Sequence, residues 1–404
     1  MIRTTPFHDR LCALNQTGLY LHWSGYLSAL KYQASEKFEY FAVRNAAGII
    51  DTSPLYKYRI TGPDAEAFLA GVLTRDIRAC ADGQAQYTLW CDDQGHVVED
   101  GVVFRHSFDH FLLTAAEPNL AWFQARVGRA RVAIEDVSDQ YGSLAVQGPR
   151  SRAILSSLAP DVGPLGFFHH TSGTIGGAGV HVSRTGYTGD LGYEVWVERD
   201  DALAVLDAIE EASAGQGVLP VGQLALLMLR IEAGLVLIDV DFHSSRFAFT
   251  AEERITPTEL GFGWMVKDAA TTDRAFVGRD AIRRELAEAS SRWRSVGLVV
   301  DWKAWDQQYR AHGLIPPKDW TPVTWEMMLY DDAADAAEPI GYTTSFMYSP
   351  VLQRHIAMAR VRPQYGAVGT TVQLEVTIDH RYETVPATVA RPPLFNPSRR
   401  TAGA

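Results

Sequence analysis

One plan is written twice in the first two-thirds of this chain, and it limits the folds open to it more than any single residue does. Tyr58-Arg59-Ile60-Thr61-Gly62-Pro63 runs into 64–73, and Ser143-Leu144-Ala145-Val146-Gln147-Gly148-Pro149 runs into 150–158. Each reads as a short β-strand, a Gly-Pro step and an amphipathic helix. Proline suits the first helical turn, where its missing N–H has no intrahelical acceptor to lose. The apolar pairs Phe68/Leu69 and Ile154/Leu155 recur one turn on at Val72/Leu73 and Leu158. Later in each copy a strand feeds a second helix, 110–114 before 118–127 and 193–197 before 201–212. The pattern predicts an internal duplication of an α/β unit.

After about residue 290 the period changes to short alternating segments, 295–300, 322–330, 355–361, 371–376 and 384–390, separated by turn residues. That is the pattern of a small β-barrel or sandwich. At 404 residues the chain is too long for one ordinary core. The expectation is an α+β protein of three domains. Two are interwoven α/β halves, 1–50 with 138–240 and 51–137 with 241–290, and the third is a β-barrel over 291–404, beginning after a charged helix at 279–289. The tail from Pro392 has too little apolar content to add core, so it is expected to wrap back or fray. The most apolar stretch, 219–238, is interrupted by Gln223, Arg230 and Glu232, which makes it a buried helix entering a buried strand rather than a membrane span.

Charge and cysteine usage narrow the function. With 37 Lys+Arg against 48 Asp+Glu the formal charge is -11, which opposes broad attraction to phosphate backbones or anionic lipid. Neither nucleic acid nor a membrane is an expected partner. Cys12, Cys80 and Cys91 are odd in number and widely spaced, so no disulfide framework or zinc site is read from them. With no signal-like N-terminus, a reducing cytoplasm is the expected location.

Three segments carry chemistry. In Gly95-His96-Val97-Val98-Glu99-Asp100-Gly101-Val102-Val103-Phe104, strand alternation puts Asp100 on the face of Val98, Val102 and Phe104. A carboxylate in that company must be paired, protonated or functional, and Gly101 permits a close approach. In Ser183-Arg184-Thr185-Gly186-Tyr187-Thr188-Gly189-Asp190-Leu191-Gly192-Tyr193-Glu194-Val195-Trp196, three glycines in seven residues make a tight loop. There the backbone and Tyr187 can approach a small molecule. Glu194 shares a face with Trp196, an acid beside an aromatic ring that suits a flat heterocycle with N–H donors. In the apolar run 224–233, Arg230 and Glu232 are two residues apart and do not face each other. Each needs a partner elsewhere, and Arg230 is also carried as a cofactor-side cation. His169-His170 and His181 lack the spacing and accompanying carboxylates of a metal site, so no metal is expected. No Walker A, G-x-S-x-G or H-E-x-x-H sequence is present.

Taken together, the segments 41–51, 146–149, 183–194, 230–234 and 349–352 resemble the aminomethyltransferase (glycine cleavage T-protein) superfamily, over nearly the whole chain. The resemblance implies three domains around a central opening that binds tetrahydrofolate. It implies that Asp100 is the catalytic aspartate near the reactive folate nitrogens, that Tyr87 and Tyr187 line the folate site, and that Glu194 hydrogen-bonds the pterin. Departures point away from a lipoyl-borne aminomethyl group. The family's Asp-Val-Ser-His-Met is Asp51-Thr52-Ser53-Pro54-Leu55 here, and its Ala-Arg-Asp is Ala225-Leu226-Leu227. The chain looks more like the folate-dependent demethylases of the superfamily, with aryl ether O-demethylases as the nearest class.

The expected reaction is methyl transfer from a small methoxylated aromatic compound to N5 of tetrahydrofolate. Asp100 orients the cofactor, while Tyr187, Lys57, Tyr32 or His243 assists the leaving oxygen. Trp23, Tyr32, Tyr56 and Trp264 are assigned to the substrate side. Two other readings stay open: an aminomethyltransferase or N-/S-demethylase, and a non-catalytic folate-binding protein. Trp302, Trp305, Trp320 and Trp325 crowd one segment, either as packing between domains or as an aromatic entrance.

Overall fold

The computed structural model describes residues 2–317, 319–332 and 338–403. Two sheets and a barrel organise it. The first sheet has six strands in the order His170–Ile175, Ala178–Ser183, Gly192–Glu198, Tyr141–Gln147, Gly48–Asp51, Leu219–Pro220. The second has five, Ala85–Cys91, Val97–Ser107, His110–Ala115, Tyr56–Thr61 and Ala133–Asp136. The strands Arg294–Val300, Arg354–Val361, Gly341–Ser349, Met328–Asp331, Thr371–Ile378 and Arg381–Ala390 close a barrel. The fold is α+β with a C-terminal barrel, and the strands of the first sheet are interrupted in the chain, between Asp51 and Tyr141, by the whole of the second sheet.

The duplicated plan has one backbone solution used twice. Gly62 and Gly148 both adopt φ near +130° (128° and 131°), a conformation open to glycine but not to side-chain-bearing residues. A Cβ on Gly62 would lie 2.3 Å from the Arg131 carbonyl oxygen, and one on Gly148 would lie 2.6 Å from that of Ala46. The strand thus ends in a glycine turn pressed against a neighbouring loop, and the helices Ala65–Val72 and Ser151–Leu158 start just after it.

The apolar stretch at 219–238 departs from expectation. The helix Gln223–Ala233 forms, but the residues after it make a loop rather than a strand. Gly234 takes the left-handed conformation at φ 64° and stops the helix, and the Val236 carbonyl is then used by the hydroxyl of Tyr187. No helix of the described residues is long and apolar enough to cross a membrane.

The polar residues of that helix find their partners on other elements. Glu232 accepts from Tyr40 Oη at 2.6 Å, from Ser349 Oγ at 2.6 Å and from the Arg44 guanidinium. Arg44 also meets Asp190 at 3.2 Å. The tail wraps back onto this group: Leu394 N and Phe395 N donate to the Glu232 carbonyl, and Arg399 clasps Asp190 through two nitrogens at 2.6 and 2.8 Å. Arg230 is fully buried, paired with Asp241 and donating to Ser345 of the barrel at 2.6 Å.

The crowded tryptophans do not assemble into one surface. Trp305 is buried in the barrel core against Phe346 and His355. Trp320 packs on Tyr348 and lies 3.8 Å beneath the Lys37 ammonium, while Trp302 and Trp325 are exposed.

Breaking a buried ion pair leaves a charge uncompensated and costs about 3–5 kcal/mol, whereas an exposed pair is worth about 0–1 kcal/mol. Arg44→Ala should therefore lower the urea midpoint steeply. Arg3→Ala, which removes a surface pair with Asp139, should leave it nearly unchanged.

Candidate functional site

The second sheet positions Asp100. Its strand Val97–Ser107 pairs with Ala85–Cys91 so that Leu89 opposes Asp100 and Tyr87 opposes Val102. Tyr87 is thus a diagonal neighbour on the same face, and its hydroxyl donates to Asp100 Oδ2 at 2.8 Å. The close approach expected at Gly101 is made by the next strand: a Cβ there would lie 2.1 Å from the Thr114 carbonyl oxygen. Its neighbour Glu99 points to the opposite face, where it is sealed by the Ala116 and Glu117 amides and Asn119. The two adjacent acids therefore have separate tasks, one structural and one half-open to solvent.

Burial raises Asp100 to about 6; the Tyr87 hydrogen bond opposes that shift and the Asp241 charge adds to it. Burial also lifts Tyr87 well above its ordinary range, with Asp100, Tyr187 and Asp241 contributing. Tyr187 feels burial first, then Arg230, Asp241 and Asp100. Asp100, Tyr87, Tyr187, Asp241 and Arg230 thus form one electrostatic group, with Phe262 packed edge-on against Tyr87 at 5.5 Å.

Glu194 stands on Gly192–Glu198, opposite Ser183 and Ala145 in the first sheet. Thr185 Oγ1 donates to its Oε2 at 2.5 Å. Burial raises its pKa, opposed by Thr185 and by the Lys57 charge. Among the described residues no other side chain donates to either carboxylate, so Glu194 Oε1 and Asp100 Oδ1 remain as acceptors. Asp100 lies among tyrosines and a phenylalanine, and Glu194 stands on the other sheet with Thr185 and the Lys57 charge; each is a half-buried carboxylate able to accept from the N–H groups of a flat heterocycle.

Lys57 is fully buried, with Nζ donating to the Ser53 and Leu55 carbonyls at 2.8 and 2.7 Å; burial lowers it to about 8, with Asp51 opposing. His243 is half-exposed beside Asp239 at 3.5 Å. Tyr32 is buried in the core of the first sheet. Trp23 ends a hairpin whose Ser24 bonds the Ala116 carbonyl, and Tyr56 opposes Ala115, so these two flank one corner of the second sheet. Arg230 faces Asp241 and the barrel with its guanidinium already bonded.

Two residues that the sequence reading did not single out belong to the group. Asp241 accepts from Arg230 and from Thr344, and sets its charge near Asp100. Arg75 donates to the Tyr87 carbonyl at 2.8 Å and lies 5.2 Å over the ring of Trp264, rather than pairing with a carboxylate. Trp264 is 54% exposed. No motif marks Arg75; only the pairing of its loop with the Tyr87 strand brings it there.

A two-sheet α/β body closed by a small barrel, with a poised aspartate at a half-open face, defines the class. The GCVT N-terminal domain model matches residues 8–269 and the glycine cleavage T-protein C-terminal barrel domain model matches residues 310–396. The chain belongs to this aminomethyltransferase family. The trimethylamine-oxide aldolase of Ruegeria pomeroyi is 32% identical over 99% of this chain, which spans 48% of that relative's length. An aminomethyltransferase of Thermoanaerobacter pseudethanolicus is 30% identical, over 93% of this chain and 94% of that one. The crystal structure of glycine cleavage system aminomethyltransferase T from Bartonella henselae superposes with a TM-score of 0.79 at 22% identity, covering 98% of this chain and 99% of that one, a likeness of fold.

An aspartate that titrates at about 6 when folded, against 3.8 ordinarily, binds its proton more tightly in the native than in the unfolded chain. Native stability contributed by this group is full below pH 3.8 and is lost as pH rises through 6, by up to ~3 kcal/mol. Asp100→Asn should abolish that loss, so denaturant midpoints of variant and wild type should diverge, in the variant's favour, between about pH 4 and 7.

Proposed function

We propose that the chain transfers a methyl group from a small methoxylated aromatic compound to N5 of tetrahydrofolate. The observation that carries the reading is the Tyr87–Asp100 pair, a carboxylate raised to about 6 beside Tyr187, with one oxygen that, among the described residues, no other side chain meets. A base of that pKa is mostly ionised at neutral pH and still accepts a proton readily. Reduced folate, when bound, supplies the nitrogen nucleophile. Asp100 takes the proton released as the N–CH3 bond forms, Tyr87 fixes the carboxylate's orientation, and Glu194 accepts pterin N–H bonds while held by Thr185. The ether C–O electron pair stays with the departing oxygen, which leaves as a phenolate and becomes the phenol by taking up one proton, equal to the one released to Asp100.

An aromatic donor is supported by Trp264 and Arg75, a half-exposed flat ring beside a cation that has no acidic partner among the described residues. That pair would receive a methoxybenzoate, stacking its ring and meeting its carboxylate. The positions where the resemblance expects a histidine and an arginine hold Pro54 and Leu226. Leu226 is buried in the core and offers no charge to a carrier-borne amine.

The trimethylamine-oxide aldolase relative favours a second reading, an N-methyl donor with the same acceptor. Incubation with tetrahydrofolate and a panel of methoxybenzoates, methylated sulfonium compounds and N-methyl amines separates the two. The ether reading expects 5-methyltetrahydrofolate and a phenol; turnover of the amines alone, or formation only of the methylene product, overturns it. Asp100→Ala and Glu194→Ala should stay folded and lose turnover, by about 10²–10⁴-fold for Asp100; normal rates in both would place the site elsewhere. Arg75→Ala should raise KM for methoxybenzoates by roughly tenfold, the worth of a charge-assisted contact, and leave uncharged methoxyarenes unaffected.

A further inference from the structure

A group of imidazoles lies at the seam of the two sheets, apart from the acids described above. His170 and His181 stand on the antiparallel strands His170–Ile175 and Ala178–Ser183, where Ser172 opposes His181 and His170 opposes Ser183, so the two histidines are diagonal neighbours. The third, His106, comes from the other sheet. It sits at the irregularity between Arg105 and Ser107, where the register with His110–Ala115 shifts. A bulge of this kind re-aims one side chain out of the strand's alternation. The ring centroids of the three are 4.6–5.0 Å apart, and one nitrogen from each lies within 4.8 Å of the others.

We propose that His106, His170 and His181 form a binding site for one divalent transition-metal ion of zinc's class, clamping the two sheets together. Three imidazoles without carboxylate or thiolate suit such an ion and leave a fourth position for water. Tetrahedral ligation brings the nitrogens to about 3.4 Å apart, which takes side-chain shifts on the order of 1 Å. The surroundings match a ligand set better than simple packing. His181 Nε2 is buried with no hydrogen-bond partner among the described residues, an acceptor or donor that native structures rarely leave unmet. His170 Nε2 lies 3.0 Å from the Arg105 carbonyl, and the ring also meets the Gln84 backbone; outer hydrogen bonds of this kind fix ring orientation in metal-bound histidines. Phe104 packs edge-on against both His170 and His181 at 5.8 Å and supplies an apolar wall. The backbone already stitches the same seam, with His170 N donating to the Gly83 carbonyl and Ala85 N to that of Phe168, at 2.9 and 2.8 Å.

The test is titration of chelator-stripped full-length protein with Zn(II) by calorimetry, and with Co(II) by visible absorption. Expected are one equivalent per chain, a Co(II) spectrum of nitrogen and oxygen ligation without a thiolate charge-transfer band, and a rise in Tm on adding Zn(II). His106→Gln/His181→Gln should weaken binding roughly 100-fold or more, beyond the ~10–100-fold lost with an outer partner, and should abolish the Tm rise. If the double variant does not fold, each single variant is held to the same criterion. Absence of stoichiometric binding, a thiolate band pointing to the exposed Cys12, or unchanged affinity in the variants overturns the proposal.

Discussion

The buried exchange of charge between Arg44, Glu232, Asp190 and Arg399 is the constraint on which the rest of this structure depends. Two cations and two anions meet where the helix Gln223–Ala233, the glycine-rich loop, the barrel strand Gly341–Ser349 and the C-terminal tail converge. None of these elements is held there by apolar area alone. Ionic contacts so deep are weak net stabilisers, because Arg44, Glu232 and Asp190 have given up their hydration, Arg399 alone keeping part of its own. What they do well is penalise misassembly, since displacing one element strands a charge. The network therefore fixes how the barrel sits on the α/β body, and with it the position of Gly234 and the Val236 carbonyl that receives Tyr187.

The same economy appears in the backbone. Gly62 and Gly148 solve one steric problem in both halves, so the strands Tyr56–Thr61 and Tyr141–Gln147 leave their turns alike. Each sheet then contributes one carboxylate to the candidate site, Asp100 from the second and Glu194 from the first. A pair of acids built on separate sheets can be tuned separately. Tyr87 and the Asp241 charge act on one, Thr185 and the Lys57 charge on the other.

Local patterns told most about regular elements. The helices at 65–72, 151–158 and 202–212 begin and end within a residue or two of where apolar spacing puts them, and strands 294–300, 354–361 and 371–378 do nearly as well. The barrel strand Gly341–Ser349 escaped because Thr343, Thr344, Ser345 and Ser349 break its apolar alternation; several of these hydroxyls are spent on Asp241, Arg230 and Glu232. The tail wraps back, one of the two outcomes expected of it, and is held by backbone amides, by Arg399 and by Leu394 and Phe395, which pack on the core and on Arg44. At the site, Asp100 and Glu194 were legible from the odd company they keep on their strands. Arg75 and Asp241 were not, since each reaches the group through a contact that only the fold makes. Lys57 looked available for chemistry because nothing in its local sequence shows that the turn at Ser53–Leu55 consumes its protons.

Arg230 illustrates how a residue can matter to a site without touching a ligand. Asp241 is one of the charges that pushes Asp100 upward, and unpaired it would push harder, because repulsion between two carboxylates grows as the dielectric falls. The Arg230 guanidinium lies against Asp241 and opposes that field; burial is the main cause acting on Asp100. The outcome is a carboxyl group near 6 rather than one locked in its neutral form. A chain of net charge -11 cannot draw an anionic ligand by its overall field. It has to place single cations where they count: Arg230 spent on Asp241, and Arg75 left beside Tyr87.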